Sequence, residues 1–198
     1  DGNIMIRDYG RGIPLGKLVD CVSKINTGGK YDSRAFKKSV GLNGVGTKAV
    51  NALSSNFFVK SIRDGKEKAA KFSKGVLINE LDIQNSNLQN GTETQFTPDD
   101  GIFIKYKFSI EHINVLLWNY AYLNAGLRIN FNGKQIVSKH GLLDLLNNKS
   151  ATQKLHYPII HMYDKDIEIA MTHSNHYGED YYAFINGQNT ILGGTHLT

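Results

Sequence analysis

Ser39-Val40-Gly41-Leu42-Asn43-Gly44-Val45-Gly46-Thr47-Lys48-Ala49-Val50-Asn51 is the stretch from which the rest of the chain is read. Three glycines fall within six residues, and apolar positions at helical spacing follow at Val45, Ala49, Val50 and Leu53. Backbone without side chains can lay its N–H groups against an anion. A helix opening directly behind it adds unpaired donors and the positive end of its dipole. Lys37 and Lys38 precede the stretch, and Gly29-Lys30 lies further upstream. The pattern predicts a phosphate cradle leading into a helix.

Two familiar phosphate motifs compete for the same residues. A P-loop requires lysine and then Ser/Thr after its second glycine, whereas here Gly46 is followed by Thr47 and then Lys48, so that pattern fails. Gly44-Val45-Gly46-Thr47-Lys48-Ala49 does read G-x-G-x-x-A, with Asp64 about twenty residues on, as a dinucleotide fingerprint would. That fingerprint must follow a buried strand, and Arg34-Ala35-Phe36-Lys37-Lys38-Ser39 carries too much charge to be one. A dinucleotide-binding oxidoreductase is therefore the lesser alternative. The plainest alternative is a glycine-rich turn capping an ordinary helix.

The 198 residues suffice for one domain and part of a second. No apolar run approaches bilayer length, and no signal-peptide pattern opens the chain. The single cysteine, Cys21, sits in an apolar helical pattern and reads as buried and inert. Charge is unevenly placed: residues 1–75 hold 15 Lys/Arg against 6 Asp/Glu, and residues 76–198 hold 8 against 12. The positive field surrounds the glycine stretch, as an anionic ligand requires. Aromatic residues are not interleaved with these lysines, which favours a small polyphosphate over single-stranded nucleic acid.

In chain order, Ile4–Arg7 alternates as a strand, and Asp8-Tyr9-Gly10-Arg11-Gly12-Ile13-Pro14 follows. A carboxylate at a strand end, before two glycines that allow close approach, can accept from an amine such as the exocyclic nitrogen of adenine. An Asx-turn closing the connection is the competing reading. Leu15, Leu18, Val19, Val22 and Ile25 mark a helix face, and residues 31–40 read as a polar loop suited to a lid. Strands are expected over Asn56–Arg63, Lys66–Ser73, Val76–Ile83 and Thr92–Thr97, with turns at Asp64-Gly65 and Asn90-Gly91. This is an antiparallel run. Ile110, Ile113, Leu116, Leu117, Tyr120 and Leu123 predict a second helix, and Asn132-Gly133 a type I′ hairpin. A helix around Leu142–Leu146 and strands over Ile167–Thr172 and Tyr181–Asn186 complete the reading. His173-x-x-His176 lies in a polar turn and reads as a surface pair, not a metal site.

With these pieces in order, the chain resembles the ATPase region of the B subunit of bacterial type IIA topoisomerases, within the GHKL ATPase superfamily. Four segments carry the match: Arg7 to Pro14, then Thr27-Gly28-Gly29-Lys30-Tyr31-Asp32, then Gly41 to Ser54, and last Gly193-Gly194-Thr195-His196-Leu197. The resemblance implies an α+β fold, a mostly antiparallel sheet backed by helices. It implies a nucleotide-binding domain over 1–139 and the start of a transducer domain over 140–198. Carried over to these positions, it implies that Asp8 binds the adenine amine with Thr92 assisting. Gly10 and Gly12 then shape the floor, Ile13 and Pro14 line it, and Arg11 and Arg63 sit at the rim. Lys30 and the amides of Leu42, Asn43, Gly44, Val45 and Gly46 hold the phosphates, within a lid over residues 28–46.

The same resemblance implies ATP and Mg2+ as cofactors and DNA as the substrate. It further implies an A-type cleavage subunit as partner, ATP-dependent homodimerisation, a cytoplasmic location and no membrane. It places the catalytic glutamate and the Mg2+-binding asparagine upstream of Ile4, so no catalytic or metal residue is assigned in this chain, which reads as an internal piece of a larger subunit. Asn43 stands where many relatives carry histidine, and Phe36 where some carry tyrosine. The wording of Lys38–Asn43 favours the topoisomerase IV branch over the gyrase branch.

Overall fold

A computed structural model describes residues 2–25, 27, 44–190 and 193–194. The chain divides into two compact units, residues 1–108 and 109–198. The division by contacts falls at 108/109, upstream of the 139/140 boundary expected from the sequence.

The first unit is built on one sheet. Its strands are β1 (Ile4–Arg7), β2 (Ser54–Arg63), β3 (Lys66–Ser73), β4 (Val76–Glu80), β5 (Gln84–Asn85) and β6 (Gly91–Pro98). They lie in the order β1-β6-β2-β3-β4, with β5 also on β3, and every pairing is antiparallel. Hairpins explain the order of β2, β3 and β4. At Asp64-Gly65 both central residues have positive φ (54° and 74°), the twist that a two-residue connection between strands needs.

Alternation along β2 decides which face is buried. Phe57, Val59 and Ser61 are fully buried on one face, opposite Phe72, Ala70 and Lys68 on β3 and Phe96, Thr94 and Thr92 on β6. That face is covered by α1 (Leu18–Ser23), entered through a 3₁₀ turn at Leu15–Lys17, and by α2 (Gly46–Ala52). Leu18 and Val22 join Phe57, Val59, Ala70 and Phe72 in one core, with Ile13, Val19, Val50 and Phe96 packed against it. The Phe57 and Phe72 rings meet edge to face at 5.9 Å, worth about 0.5–1.5 kcal/mol beyond burial.

Two expectations are corrected within this unit. The face that α2 turns inward carries Lys48 and Asn51, both buried, while Val45 and Leu53 are exposed. Asn51 is fixed there because its Nδ2 donates to the Val22 carbonyl at 3.0 Å, which joins α2 to α1. Asn90-Gly91 is not a hairpin turn either. Gly91 opens β6, and Asn90 Oδ1 instead accepts from the amide of Asp64 at 3.0 Å.

The second unit contains α3 (Ile110–Leu123), the hairpin β7 (Ile129–Phe131) and β8 (Lys134–Ile136), and α4 (Leu142–Lys149). Two further hairpins follow, β9 (Ile160–Tyr163) with β10 (Glu168–Met171) and β11 (Phe184–Ile185) with β12 (Gln188–Asn189). Ser109 caps α3 by accepting from the His112 amide at 3.2 Å. The segment leading into α4 is tied by one carboxylate. Asp144 Oδ2 accepts from Ser138 Oγ (2.7 Å), the His140 amide (2.9 Å) and the Lys139 amide (3.0 Å). The expected α3 face is only partly buried: Ile110, Leu116 and Tyr120 are exposed, and Ala121 and Tyr122 are the buried residues. The strand expected over Tyr181–Asn186 is a short hairpin turning at Asn186-Gly187, and β9 carried too little alternation to be expected at all.

Candidate functional site

The site is built where β1 ends. Register pairs Arg7 with Glu93, and the next step of the ladder is the amide of Asp8 donating to the Thr92 carbonyl at 2.9 Å. Thr92 in turn lies opposite Ser61 on β2. Asp8, Thr92 and Ser61 therefore form a polar row next to the apolar pairs around Phe57 and Val59.

The structure shows the Asx-turn at Asp8. Oδ1 accepts from the Gly10 amide at 2.8 Å, which closes an Asx-turn. Oδ2 has no protein donor among the described residues, and Asp8 is exposed, so one carboxylate oxygen remains for a ligand. The strand end is held by Arg7, whose Nη2 donates to the Gln89 carbonyl at 2.6 Å and whose guanidinium lies 5.2 Å over the Tyr9 ring.

Close backbone approach leaves no room for a side chain at two glycines around this carboxylate, Gly12 on the turn and Gly91 at the start of β6. A Cβ on Gly12, where φ is +73°, would come within 2.4 Å of the Ile62 carbonyl oxygen. A Cβ on Gly91, where φ is +143°, would come within 2.0 Å of the Asp8 carbonyl oxygen. Both glycines are required by close backbone approach as well as by conformation. The turn is further tied to β2: Ser61 Oγ donates to the Ile13 carbonyl at 2.7 Å, and Arg63 Nη1 to the Gly12 carbonyl at 3.4 Å. Arg63 also contacts Asp64 Oδ2 at 3.3 Å, which sets its guanidinium beside the rim of the turn. Gly10 and Arg11 are exposed; Ile13 and Pro14 follow on the same turn, Ile13 against the core.

The glycine stretch enters the described residues at Gly44, which has φ +57°. Val45 precedes α2 and Gly46 begins it, and the helix packs on the same face of the sheet as the polar row through Val50. Behind this turn Lys48 is 8% exposed, and its Nζ donates to the Gly44 carbonyl at 2.5 Å. No carboxylate pairs with it among the described residues. A buried ammonium with no carboxylate partner among the described residues is an environment that favours an anion. Lys30, Leu42, Asn43, the other lid positions before Gly44, and Thr195-His196-Leu197 lie outside the described residues, as does the segment on which the dinucleotide fingerprint depends.

Cys21 is half-buried. Burial pushes its thiol up, with Lys48 opposing, and Sγ donates to the Thr27 carbonyl at 3.6 Å, as befits an inert residue. Thr27 itself finishes α1, donating through Oγ1 to the Asp20 and Lys24 carbonyls, each at 2.8 Å. Among the described residues no group of three or more His, Cys, Asp or Glu could hold a metal ion. No helix among them is long and apolar enough to cross a membrane.

Comparison with known proteins places this arrangement. No family model matches the chain. It is 52% identical over 195 residues to the B subunit of DNA topoisomerase 4 from Borreliella burgdorferi, covering 98% of this chain and 32% of that protein. It is 32% identical over 214 residues to the B subunit of DNA gyrase from Campylobacter jejuni, covering 99% of this chain and 28% of that protein. It superposes with a TM-score of 0.76, at 26% identity, on the 43K ATPase domain of Thermus thermophilus gyrase B, solved with an aminocoumarin, covering 99% of this chain and 55% of that one. The chain is homologous to the ATPase region of the B subunits of type IIA topoisomerases.

The chain spans about a third of the length of the curated B subunits it matches. The α+β sheet backed by helices agrees with the ATPase fold of those subunits. It also argues against the dinucleotide alternative, since that fold rests on parallel strands and every described pairing is antiparallel. Two buried polar residues of the site escaped the sequence reading. Lys48 registered only as a break in P-loop order, and Ser61 only as a strand position. A hydroxyl in an alternating apolar row was the signal available for Ser61.

Proposed function

We propose that this chain binds ATP as the nucleotide-binding part of the B subunit of a type IIA topoisomerase. The observation that carries the reading is the Asp8 carboxylate, locked to Thr92 through the backbone, with one oxygen open above a turn that admits no side chain at Gly12. A carboxylate held this way accepts a hydrogen bond from the amine of adenine and not from a base bearing a carbonyl there. Thr92, opposite Ser61 in register, is the second polar group at the base. Gly10, Gly12, Ile13 and Pro14 form its floor, and Arg11 and Arg63 its rim. Lys30 and the amides of Leu42 to Gly46 take the phosphates, and Lys48 adds positive charge behind the glycine turn.

The reading extends to the whole subunit. ATP binding closes a homodimeric clamp on DNA, hydrolysis resets it, and an A-type subunit cuts and rejoins the strands, in the cytoplasm. Mg2+ accompanies the nucleotide and is assigned to no residue of these 198. Residues 1–139 form the nucleotide-binding domain and residues 140–198 the start of the transducer. The higher identity to a topoisomerase IV subunit, 52% against 32% for a gyrase subunit, supports the topoisomerase IV branch.

Titration of the chain with ATP, GTP and inorganic tripolyphosphate tests the binding site. Saturable ATP binding that exceeds GTP binding supports the reading. Equal affinity for the two purines contradicts it.

A further inference from the structure

Ser61 is fully buried on a sheet face where its neighbours along the strand, Val59 and Phe57, are apolar. A buried hydroxyl is costly unless it is bonded, and this one is bonded outside the sheet. Its Oγ donates to the Ile13 carbonyl at 2.7 Å across a separation of 48 residues. It also closes on the neighbouring residue, since a Cβ built at Gly12 would lie 3.0 Å from the same oxygen. Thr92 stands opposite it in register, and the Thr92 carbonyl holds Asp8. A second side-chain tie from β2 to the turn, Arg63 to the Gly12 carbonyl, is long at 3.4 Å and comes from a side chain that is 36% exposed. The shorter tie, from a fully buried residue, is the one from Ser61.

We propose that Ser61 is a positioning residue for base recognition: its hydroxyl fixes the Gly12–Ile13 peptide beneath the purine, so that the Asp8 carboxylate meets a 6-aminopurine at its amine edge. The inference rests on the nucleotide-binding reading above. With no exposed surface, Ser61 does not touch the nucleotide and acts through the turn. Removing the hydroxyl leaves the Ile13 carbonyl without its donor and frees the floor to shift. Affinity for the base then falls. The triphosphate is held by the glycine turn before α2, a different element, so its affinity stays.

Ser61→Thr keeps the hydroxyl, and Ser61→Val has the shape of that variant without it. The unaltered chain and both variants are titrated with ATP and with inorganic tripolyphosphate, and the Ile13 carbonyl 13C shift is recorded for each. The Val variant is expected to bind ATP about three- to tenfold more weakly, with tripolyphosphate binding unchanged and the Ile13 resonance moved. The Thr variant is expected within about twofold of the unaltered chain. Ser61→Ala, which adds no atoms to the packed site, repeats the comparison and is expected to match Val. Equal ATP affinity in the Thr and Val variants, or equal losses for ATP and tripolyphosphate, would overturn the inference while leaving ATP binding intact. Absence of ATP binding by the unaltered chain would overturn the nucleotide reading itself.

Discussion

The amide of Asp8 donates to the carbonyl of Thr92 at 2.9 Å, one step past the last register pair of β1 and β6. This bond converts a strand end into a fixed mount for a carboxylate. Arg7 reinforces it from the preceding residue through the Gln89 carbonyl, and Ser61 fixes the turn that follows. The candidate site is thus an outgrowth of sheet register, with its geometry set by the core between β2 and the two helices.

Asp8→Asn keeps the shape and replaces an acceptor oxygen by an amide donor. A hydrogen bond to a charged group is worth about 1.5–3 kcal/mol, so ATP affinity is expected to fall by about ten- to a hundredfold. Urea unfolding is expected to change little. Calorimetric titration of the variant checks the first point, and unchanged ATP affinity would remove Asp8 from the site.

Gly91→Ala introduces a methyl group 2.0 Å from the Asp8 carbonyl oxygen at a residue with φ +143°. Backbone strain of this kind costs about 1–3 kcal/mol. The variant is expected to unfold at lower urea concentration and to bind ATP weakly, because β1 and β6 must move apart. Gly65→Ala, where φ is +74° but nothing lies within 4 Å, is the comparison and is expected to leave ATP affinity unchanged.

Phe57→Ala empties the centre of the first unit, where the ring is fully buried against Phe72. Deleting a buried phenylalanine costs about 3–5 kcal/mol, a large share of the stability of a small domain. Chemical denaturation is expected to show that loss. A cost under about 1 kcal/mol would mean that the core is not organised around β2.

Asp144 carries the pH dependence expected of the second unit. Its burial raises the pKa, but the amides of His140 and Lys139 and the Ser138 hydroxyl outweigh it and hold the carboxyl below its ordinary value of 3.8. A folded-state pKa lower than the unfolded one means stability that is present above the unfolded value and lost as pH falls through the folded one. Residues 109–198 are therefore expected to lose stability on acidification below about pH 4, and Asp144→Asn to flatten that dependence. Amide exchange at Lys139 and His140 across this range reads the effect. Identical acid profiles for the two proteins would contradict it.

Where residue type dictates backbone conformation, the sequence was read correctly. The Asp64-Gly65 and Asn132-Gly133 turns have the paired positive φ values that their residues favour, and β2 shows the alternation that its apolar positions imply. The Asx-turn at Asp8 was legible too, because a short carboxylate two residues before a glycine amide closes such a turn locally. Asn90-Gly91 misled because the demand for glycine comes from Asp8, which is distant in sequence and adjacent through β-pairing. Lys48 and Asn51 misled for a related reason. Helical periodicity counts apolar residues, and α2 instead buries two polar ones whose partners, the Gly44 and Val22 carbonyls, are backbone atoms with no sequence signature.

A crystal structure of the chain with a non-hydrolysable ATP analogue tests the account most directly. The account predicts the adenine amine within hydrogen-bond distance of Asp8 Oδ2 and the phosphates against the amides of Gly44 to Gly46. A purine bound away from Asp8, with phosphates elsewhere than that turn, would contradict it.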